Sequence, residues 1–87
     1  MKHKIRLNGK HMLDKQSALE HLSKRFDLIH PVTNLDALWD ELSTLHRIQK
    51  ITLIHVKELN TYDDGQKVLK LLIDYVHMRE ITFTIDC

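Results

Sequence analysis

Hydrophobic and polar residues alternate near both ends of the chain, and this two-residue period predicts β-strands there. Residues 4–7 alternate before Asn8-Gly9, a pair that tolerates positive φ and favours a tight turn. Residues 81–85 alternate in the same way and predict a closing strand. Between them, residues 51–56 form an almost unbroken β-branched and apolar run, which is typical of a central strand in a parallel sheet.

Two segments in the first half instead show the three- and four-residue spacing of amphipathic helices. Asp14 is placed to cap a helix that extends to about residue 26. A loop is predicted over 27–32 because Pro31 cannot lie inside a helix. Thr33 and Asp36 then have the spacing of a capping box at the start of a second helix. The apolar stripe of this second helix consists of leucines, namely Leu35, Leu38, Leu42 and Leu45.

The second half adds one more helix and completes the topology. A polar connection over 57–65, with room for a helical turn, leads to a third helix over 66–78. The polar stripe of that helix is short: Lys67, Lys70, Asp74 and His77. Right-handed crossovers between successive strands predict a two-layer α/β fold with a three-stranded parallel sheet, order 1-2-3, and helices mainly on one face. The chain of 87 residues supports a single domain over 1–87.

The charges nearly balance but are unevenly distributed. Thirteen Lys and Arg against twelve Asp and Glu give a formal net charge of +1, which predicts no general attraction to nucleic acid or anionic lipid. The first 25 residues carry seven bases and two acids, whereas residues 26–46 carry four acids and no Lys or Arg. We therefore expect an acidic surface on the second stretch.

The sequence lacks the signals that are typical of several function classes. Cys87 is the only cysteine, and none of the seven histidines are spaced at i,i+3 or i,i+4, so we predict no disulfide, metal or cofactor. No nucleophile stands beside a suitable base and no phosphate loop occurs, so we predict no enzyme activity. The basic N-terminal third has no aromatic stacking pattern, so we predict no nucleic-acid binding. The absence of a signal peptide or a long apolar run predicts a cytoplasmic protein without a membrane span.

The second helix carries the most distinctive cluster. Asp36 and Asp40 stand one turn apart on the same face, Ser43 lies beside them, and Trp39 borders the leucine stripe. Like charges at this spacing destabilise an isolated helix by about 0.2–0.5 kcal/mol, which is the wrong sign for a stabilising device. The helix macrodipole explains Asp36 well and Asp40 poorly. Residue types alone leave open whether this face binds a partner and whether Trp39 belongs to the core or to an interface.

A family resemblance bears on that choice. The segment Asn34-Leu35-Asp36-Ala37-Leu38-Trp39-Asp40 resembles the signature of the barstar family, small intracellular inhibitors of secreted microbial ribonucleases such as barnase. The resemblance extends along essentially the whole chain, through Ile5-x-Leu7-x-Gly9, Val68-Leu69 and Ile81-Thr82. It implies a ribonuclease inhibitor that protects the producing cell, acts as an immunity protein and is monomeric when free.

The resemblance also implies roles for individual residues. Asp40 is expected in the phosphate-binding site of the enzyme, where its carboxylate imitates a substrate phosphate, and Asp36 is expected to make a second acidic contact. Trp39 matches a tryptophan that flanks the contact surface, with Ser43 beside it. Asp74 aligns with an acidic residue of the last helix, shortened here from glutamate to aspartate.

The loop before the second helix departs from the family. His30-Pro31-Val32-Thr33 stands where the best-known member has Tyr-Tyr-Gly-Glu, so His30 replaces a tyrosine that lies over the active site and Val32 replaces a glycine. We therefore expect a divergent cognate ribonuclease that contacts His30 or Val32, rather than barnase itself. The alternative is a barstar-fold interaction module with a different, non-ribonuclease partner, because a fold does not fix a partner.

Overall fold

Three parallel strands and three α-helices make up most of the structure, a computed structural model that describes residues 3–28, 30–45 and 48–86. The strands are β1 (His3–Asn8), β2 (Ile48–Ile54) and β3 (Thr82–Asp86). The helices are α1 (Lys15–Arg25), α2 (Leu35–Ser43) and α3 (Asp63–Arg79). Two short 3₁₀ helices, Gly9–His11 and Val56–Thr61, follow β1 and β2.

The sheet has the predicted order, with β2 between β1 and β3 and both pairings parallel. Its register sets Ile5 beside Ile51 and Leu7 beside Leu53. These four side chains are buried, whereas the intervening residues of β2 are only half-buried, because successive side chains of a strand point to opposite faces. The helices pack over the buried face, which confirms the two-layer α/β prediction.

The core is one hydrophobic cluster that joins all three helices to the sheet. The fully buried side chains with the largest volumes come from every layer: Leu7, Met12, Leu22, Leu38, Leu42, Ile51, Leu53, Leu59, Val68, Leu72 and Tyr75. At about 25 cal/mol per Å² of apolar surface, burial of these side chains is the main term that favours folding. That the whole of 1–87 is one domain stays a prediction.

The strand boundaries differ from the sequence prediction by one to three residues. β2 begins at Ile48 rather than at residue 51. It ends before His55, whose left-handed backbone (φ 54°) turns the chain into the following 3₁₀ helix. β3 is shifted by one residue and lies at the sheet edge, where Ile85 is 45% exposed. The prediction that the apolar run is the central strand is confirmed, although only one of its faces is fully buried.

Gly9 is needed for a close approach and not for the predicted positive φ. No glycine has positive φ in the described part of the chain. Asn8 instead caps the short helix Gly9–His11, with its Oδ1 accepting from the Lys10 N–H at 2.9 Å. A Cβ at Gly9 would collide with the carbonyl group of His55, so glycine lets the chain leaving β1 pass against the chain leaving β2.

The predicted cap of α1 is confirmed and that of α2 is wrong by one residue. Asp14 Oδ1 accepts from the Ser17 N–H at 2.7 Å, and hydrogen bonding to Ser17 lowers the pKa of Asp14. At α2 the N-cap is Asn34, whose Oδ1 accepts from the Ala37 N–H at 2.7 Å. Thr33 lies before the cap, so the predicted capping box does not form.

Helix α3 extends beyond its predicted 66–78 span at both ends. It begins at Asp63, within the predicted 57–65 connection. The earlier part of that connection is also helical, as the 3₁₀ helix Val56–Thr61. Two aspartates in that turn complement the positive end of the helix macrodipole. At the other end Glu80, with φ 55°, terminates the helix. The predicted polar stripe of α3 is exposed: Lys67, Lys70, Asp74 and His77.

The revised cap of α2 predicts a difference between two neighbouring substitutions. Asn34→Ala should lower the free energy of unfolding by about 1 kcal/mol, because the Ala37 N–H loses its acceptor. Thr33→Ala should change it by less than about 0.5 kcal/mol. Urea denaturation followed by circular dichroism measures both. A larger loss from Thr33→Ala would contradict the assignment of the cap.

A second sensitive position is His21, a half-buried side chain of α1. Its Nε2 accepts a hydrogen bond from the Asn8 N–H at 3.1 Å, and its ring stacks on that of His11 with centroids 5.3 Å apart. Burial lowers the pKa of His21 below 6.5, and the charges of His11, Arg25 and Lys24 lower it further. Protonation would remove the acceptor. The other charged residues beside these two rings are Arg6 and Glu20.

The lowered pKa of His21 predicts that acid destabilises the protein. The folded state binds the proton less readily than the unfolded state, so this contribution is present above pH 6.5 and is lost as the pH falls through the lower, folded-state pKa. We expect the free energy of unfolding to decrease from pH 7 to pH 5. His21→Gln should flatten that decrease, whereas His77→Gln on the exposed stripe of α3 should not. Equal slopes in both variants would exclude His21 as the source.

Candidate functional site

The outer face of α2 presents two carboxylates to solvent. Asp36 lies in the first turn and Asp40 one turn later, and both side chains are exposed. The opposite face of the same helix carries Leu38 and Leu42, which are fully buried. The predicted division of this helix into a leucine face and an acidic face is therefore seen in the structure.

Trp39 lies at the border between these two faces. Its side chain is half-buried and packs against the hydrophobic core. Its ring meets the ring of Tyr75 on α3 edge to face, with centroids 6.3 Å apart and an interplanar angle of 81°. The sequence left open whether Trp39 serves the core or an interface; the structure gives it a core contact on one side and an accessible side next to Asp36.

Asp74 joins this surface through a groove between α2 and α3, which we call the α2–α3 groove. The groove is open, with a volume of about 320 Å³. Helix α2 contributes Leu35, Asp36 and Trp39, and helix α3 contributes Lys67, Lys70, Leu71 and Asp74. The structure thus brings together three of the predicted site residues, two from α2 and one from α3. Asp40 is exposed on α2 but does not line the groove.

Lys67 and Lys70 also line the groove, although their spacing in the sequence predicted only a place on a polar helix stripe. The spacing of Lys67, Lys70 and Asp74 puts all three on one face of α3, and that face was visible in the sequence. What the sequence did not show is that this face lies beside Asp36, because the packing of α3 against α2 is a tertiary contact.

Of the two loop residues that are predicted to contact a partner, one has an exposed side chain and the other a buried one. His30 is exposed. Val32 is only 8% exposed and belongs to the hydrophobic core, and its N–H donates to the Ser23 Oγ at 3.4 Å. A partner would therefore meet the imidazole of His30, whereas contact with the Val32 side chain is restricted. Involvement of either residue in binding stays a prediction.

Ser43 connects α2 to α3 at the far end of the site. Its hydroxyl donates to the Trp39 carbonyl at 2.8 Å, within its own helix. Its carbonyl accepts from the guanidinium of Arg79 at the end of α3. A cation that bonds the last carbonyls of a helix satisfies otherwise unpaired acceptors and complements the macrodipole. Ser43 thus helps to hold α2 in place, and direct contact with a partner remains a prediction.

Neither a metal centre nor a membrane span is found in the described part of the chain. Among residues 3–28, 30–45 and 48–86, no group of three or more His, Cys, Asp or Glu side chains is placed to hold a metal ion. Within the same ranges, no helix combines the length and hydropathy needed to cross a bilayer. The prediction that Cys87 and His46 hold no metal falls on residues that lie outside the described ranges.

The chain matches a known protein family over nearly its whole length. The model of a family described as Barstar (barnase inhibitor) matches residues 2–86, essentially the whole chain. No curated protein matches the chain at a significant level.

Tyr75, which supports Trp39, has a buried hydroxyl without a hydrogen-bond partner among the described residues. Burial raises the pKa of Tyr75, and the nearby Arg79 charge partly opposes that rise. Tyr62 provides a contrast, since its hydroxyl donates to the Met12 carbonyl at 2.6 Å. A buried polar group without a partner opposes folding, whereas a satisfied one makes a net favourable contribution.

These two tyrosines should respond differently to loss of the hydroxyl. Tyr75→Phe should leave the free energy of unfolding unchanged or raise it, because the ring contact with Trp39 is kept and an unpaired polar group is removed. Tyr62→Phe should lower it by about 1 kcal/mol, because the Met12 carbonyl loses its donor. Urea denaturation monitored by the fluorescence of Trp39, the only tryptophan, measures both. A clear loss of stability in Tyr75→Phe would mean that its hydroxyl is bonded.

Proposed function

Because the chain belongs to the barstar family of barnase inhibitors, we propose that it inhibits a secreted barnase-like ribonuclease by placing the acidic face of α2 in the cationic active site of the enzyme. The family is one of inhibitors and not of enzymes. The observation that carries the proposal is the exposure of Asp36 and Asp40 on a helix whose opposite face is locked into the core. In this role the protein would act in the cytoplasm and protect the producing cell.

The chemistry of the target explains why carboxylates suit this role. An enzyme that cleaves RNA must stabilise a phosphodiester and the negative charge that develops on it, which requires a cluster of cationic groups. A carboxylate in that cluster takes the place of a phosphate. Charge complementarity of this kind also accelerates encounter and disfavours other partners.

The rigidity of α2 supports the same conclusion. Asn34 caps its first turn, Arg79 bonds its last turn, and Leu38 and Leu42 anchor its inner face. A binding surface that is already ordered loses little conformational entropy when the complex forms. An acidic loop of equal charge would lose more.

We assign the contacts as follows. Asp40 enters the phosphate-binding site, and Asp36 makes a second ionic contact one turn earlier. Trp39 contributes its accessible side, and Asp74 extends the acidic surface across the α2–α3 groove. His30 contacts the enzyme from the preceding loop, in place of the family's tyrosine.

The diverged loop favours one alternative function. His30-Pro31-Val32-Thr33 differs from the corresponding run of the best-known family member, and a changed contact loop is compatible with a partner that is not a ribonuclease. In that case the interaction would not depend on Asp40.

Asp40→Asn should weaken ribonuclease inhibition more than any other single change of charge. The chain, immobilised as bait, should retain a basic ribonuclease from the culture medium of the producing organism, and high salt should release it. With that enzyme in an RNA-cleavage assay, we expect Asp40→Asn to raise the inhibition constant at least about thirtyfold, the scale of an interface hot spot of about 2 kcal/mol.

The matched control is Asp86→Asn, which removes the same charge from an exposed residue of β3. It should change the inhibition constant less than about threefold, and urea denaturation should show that both variants remain folded. If Asp40→Asn inhibited as well as the unchanged chain, the acidic face would not be the binding surface. Retention of a partner without nuclease activity, through another face, would support the alternative.

A further inference from the structure

Two lysines stand inside the surface that is proposed to bind a cationic enzyme. Lys67 and Lys70 are exposed and line the α2–α3 groove together with Asp36 and Asp74. Their charge is opposite to the one that a cationic active site should attract. Two ammonium groups therefore offset much of the acidic character of this surface.

Stabilisation of the inhibitor itself does not account for these lysines. Within the described ranges, neither ammonium group forms an ion pair with Asp36 or Asp74. Lys70 and Asp74 are four residues apart, but the base precedes the acid, which is the weaker order on a helix. Both side chains are exposed, so their charges are screened and contribute little to folding.

Lys67 and Lys70 instead lie where a bound partner would meet them, beside the apolar part of the groove. The floor of the groove is apolar, formed by the half-buried side chains of Leu35, Trp39 and Leu71. A partner that covers this floor expels water from the groove and brings its own charges close to Lys67 and Lys70. Like charges brought together across an interface are strongly unfavourable, and opposite charges are favourable, so the lysines discriminate between partners.

Resting on the proposed function, we infer that Lys67 and Lys70 select a ribonuclease that carries carboxylates beside its cationic cleft, where the enzyme faces α3. Asp40 and Asp36 recognise the feature that all such ribonucleases share, the phosphate-binding cations. The lysines recognise a feature that varies between them, the charge on the rim of the cleft. Enzymes with a basic rim at this place are rejected.

Barnase is the probe for the first part of this inference, that the lysines disfavour a ribonuclease with a basic rim. The variant Lys67→Glu/Lys70→Glu should inhibit barnase at least about tenfold more tightly than the unchanged chain, through faster association and slower dissociation. The control variant Lys24→Glu/Lys57→Glu makes the same change in net charge at exposed residues outside the groove. It should gain less than about threefold, the general effect of net charge.

A second set of proteins tests whether the lysines favour a ribonuclease with a carboxylate on the rim of its cleft. Barnase variants are prepared in which one lysine or arginine on the rim of the cleft is replaced by glutamate. At least one of them should bind the unchanged chain about tenfold more tightly than barnase does, and Lys67→Gln/Lys70→Gln should abolish that gain. Such coupling between one partner's carboxylate and the other partner's lysines locates the contact.

The outcomes separate this inference from the proposed function. If the groove variant gained no more than the control, or if no rim variant of barnase gained affinity, the lysines would not determine specificity. Absence of binding in every combination would count against the inference as well. Asp40→Asn, introduced into the groove variant, should remove its inhibition of barnase. If inhibition persisted without the Asp40 carboxylate, the proposed function of the acidic face would fail, whatever the lysines do.

Discussion

One constraint shapes this molecule: its three helices bury their apolar faces on a single face of a three-stranded sheet. The register sets Ile5 against Ile51 and Leu7 against Leu53, and this apolar surface is what the helices cover. In a two-layer arrangement every helix has an outer face that takes no part in the core. The outer face of α2 is therefore free to carry charges that the core does not require. We propose that the function resides on α2, because the leucines on its inner side fix the helix in place.

The same constraint makes the proposed site rigid. Helix α2 has only nine residues and would be marginal as an isolated helix. It is fixed at its first turn by Asn34, at its last turn by Arg79, and along its side by the contact of Trp39 with Tyr75. Each of these contacts also orients the acidic face. Stability and presentation of the carboxylates thus depend on the same few interactions, so a variant must be shown to fold before a loss of binding is interpreted.

Local patterns predicted most of the fold, because burial follows the periods of strands and helices. Sheet order, the central strand and the leucine face of α2 could all be anticipated from spacing alone. The errors arose where a distant contact decides the local structure. The pair Asn8-Gly9 has the composition of a tight turn. In the structure, however, Gly9 lets the chain pass the His55 carbonyl, 46 positions away in sequence. The cap of α2 depends on which of two adjacent residues directly precedes the first helical residue, and residue types do not distinguish Thr33 from Asn34.

Only the part of the site that lies on a single helix could be predicted from the sequence. Asp36, Trp39 and Asp40 lie within one turn and a half, so helical geometry alone grouped them. Asp74, Lys67 and Lys70 join the surface through the packing of α3 against α2, which no spacing in the sequence reveals. This second set changes how the charge balance is understood. A surface made only of carboxylates would attract many basic proteins. On the proposed role of the lysines, attraction to a uniformly cationic partner is weakened, whereas a partner that sets carboxylates against the lysines is favoured.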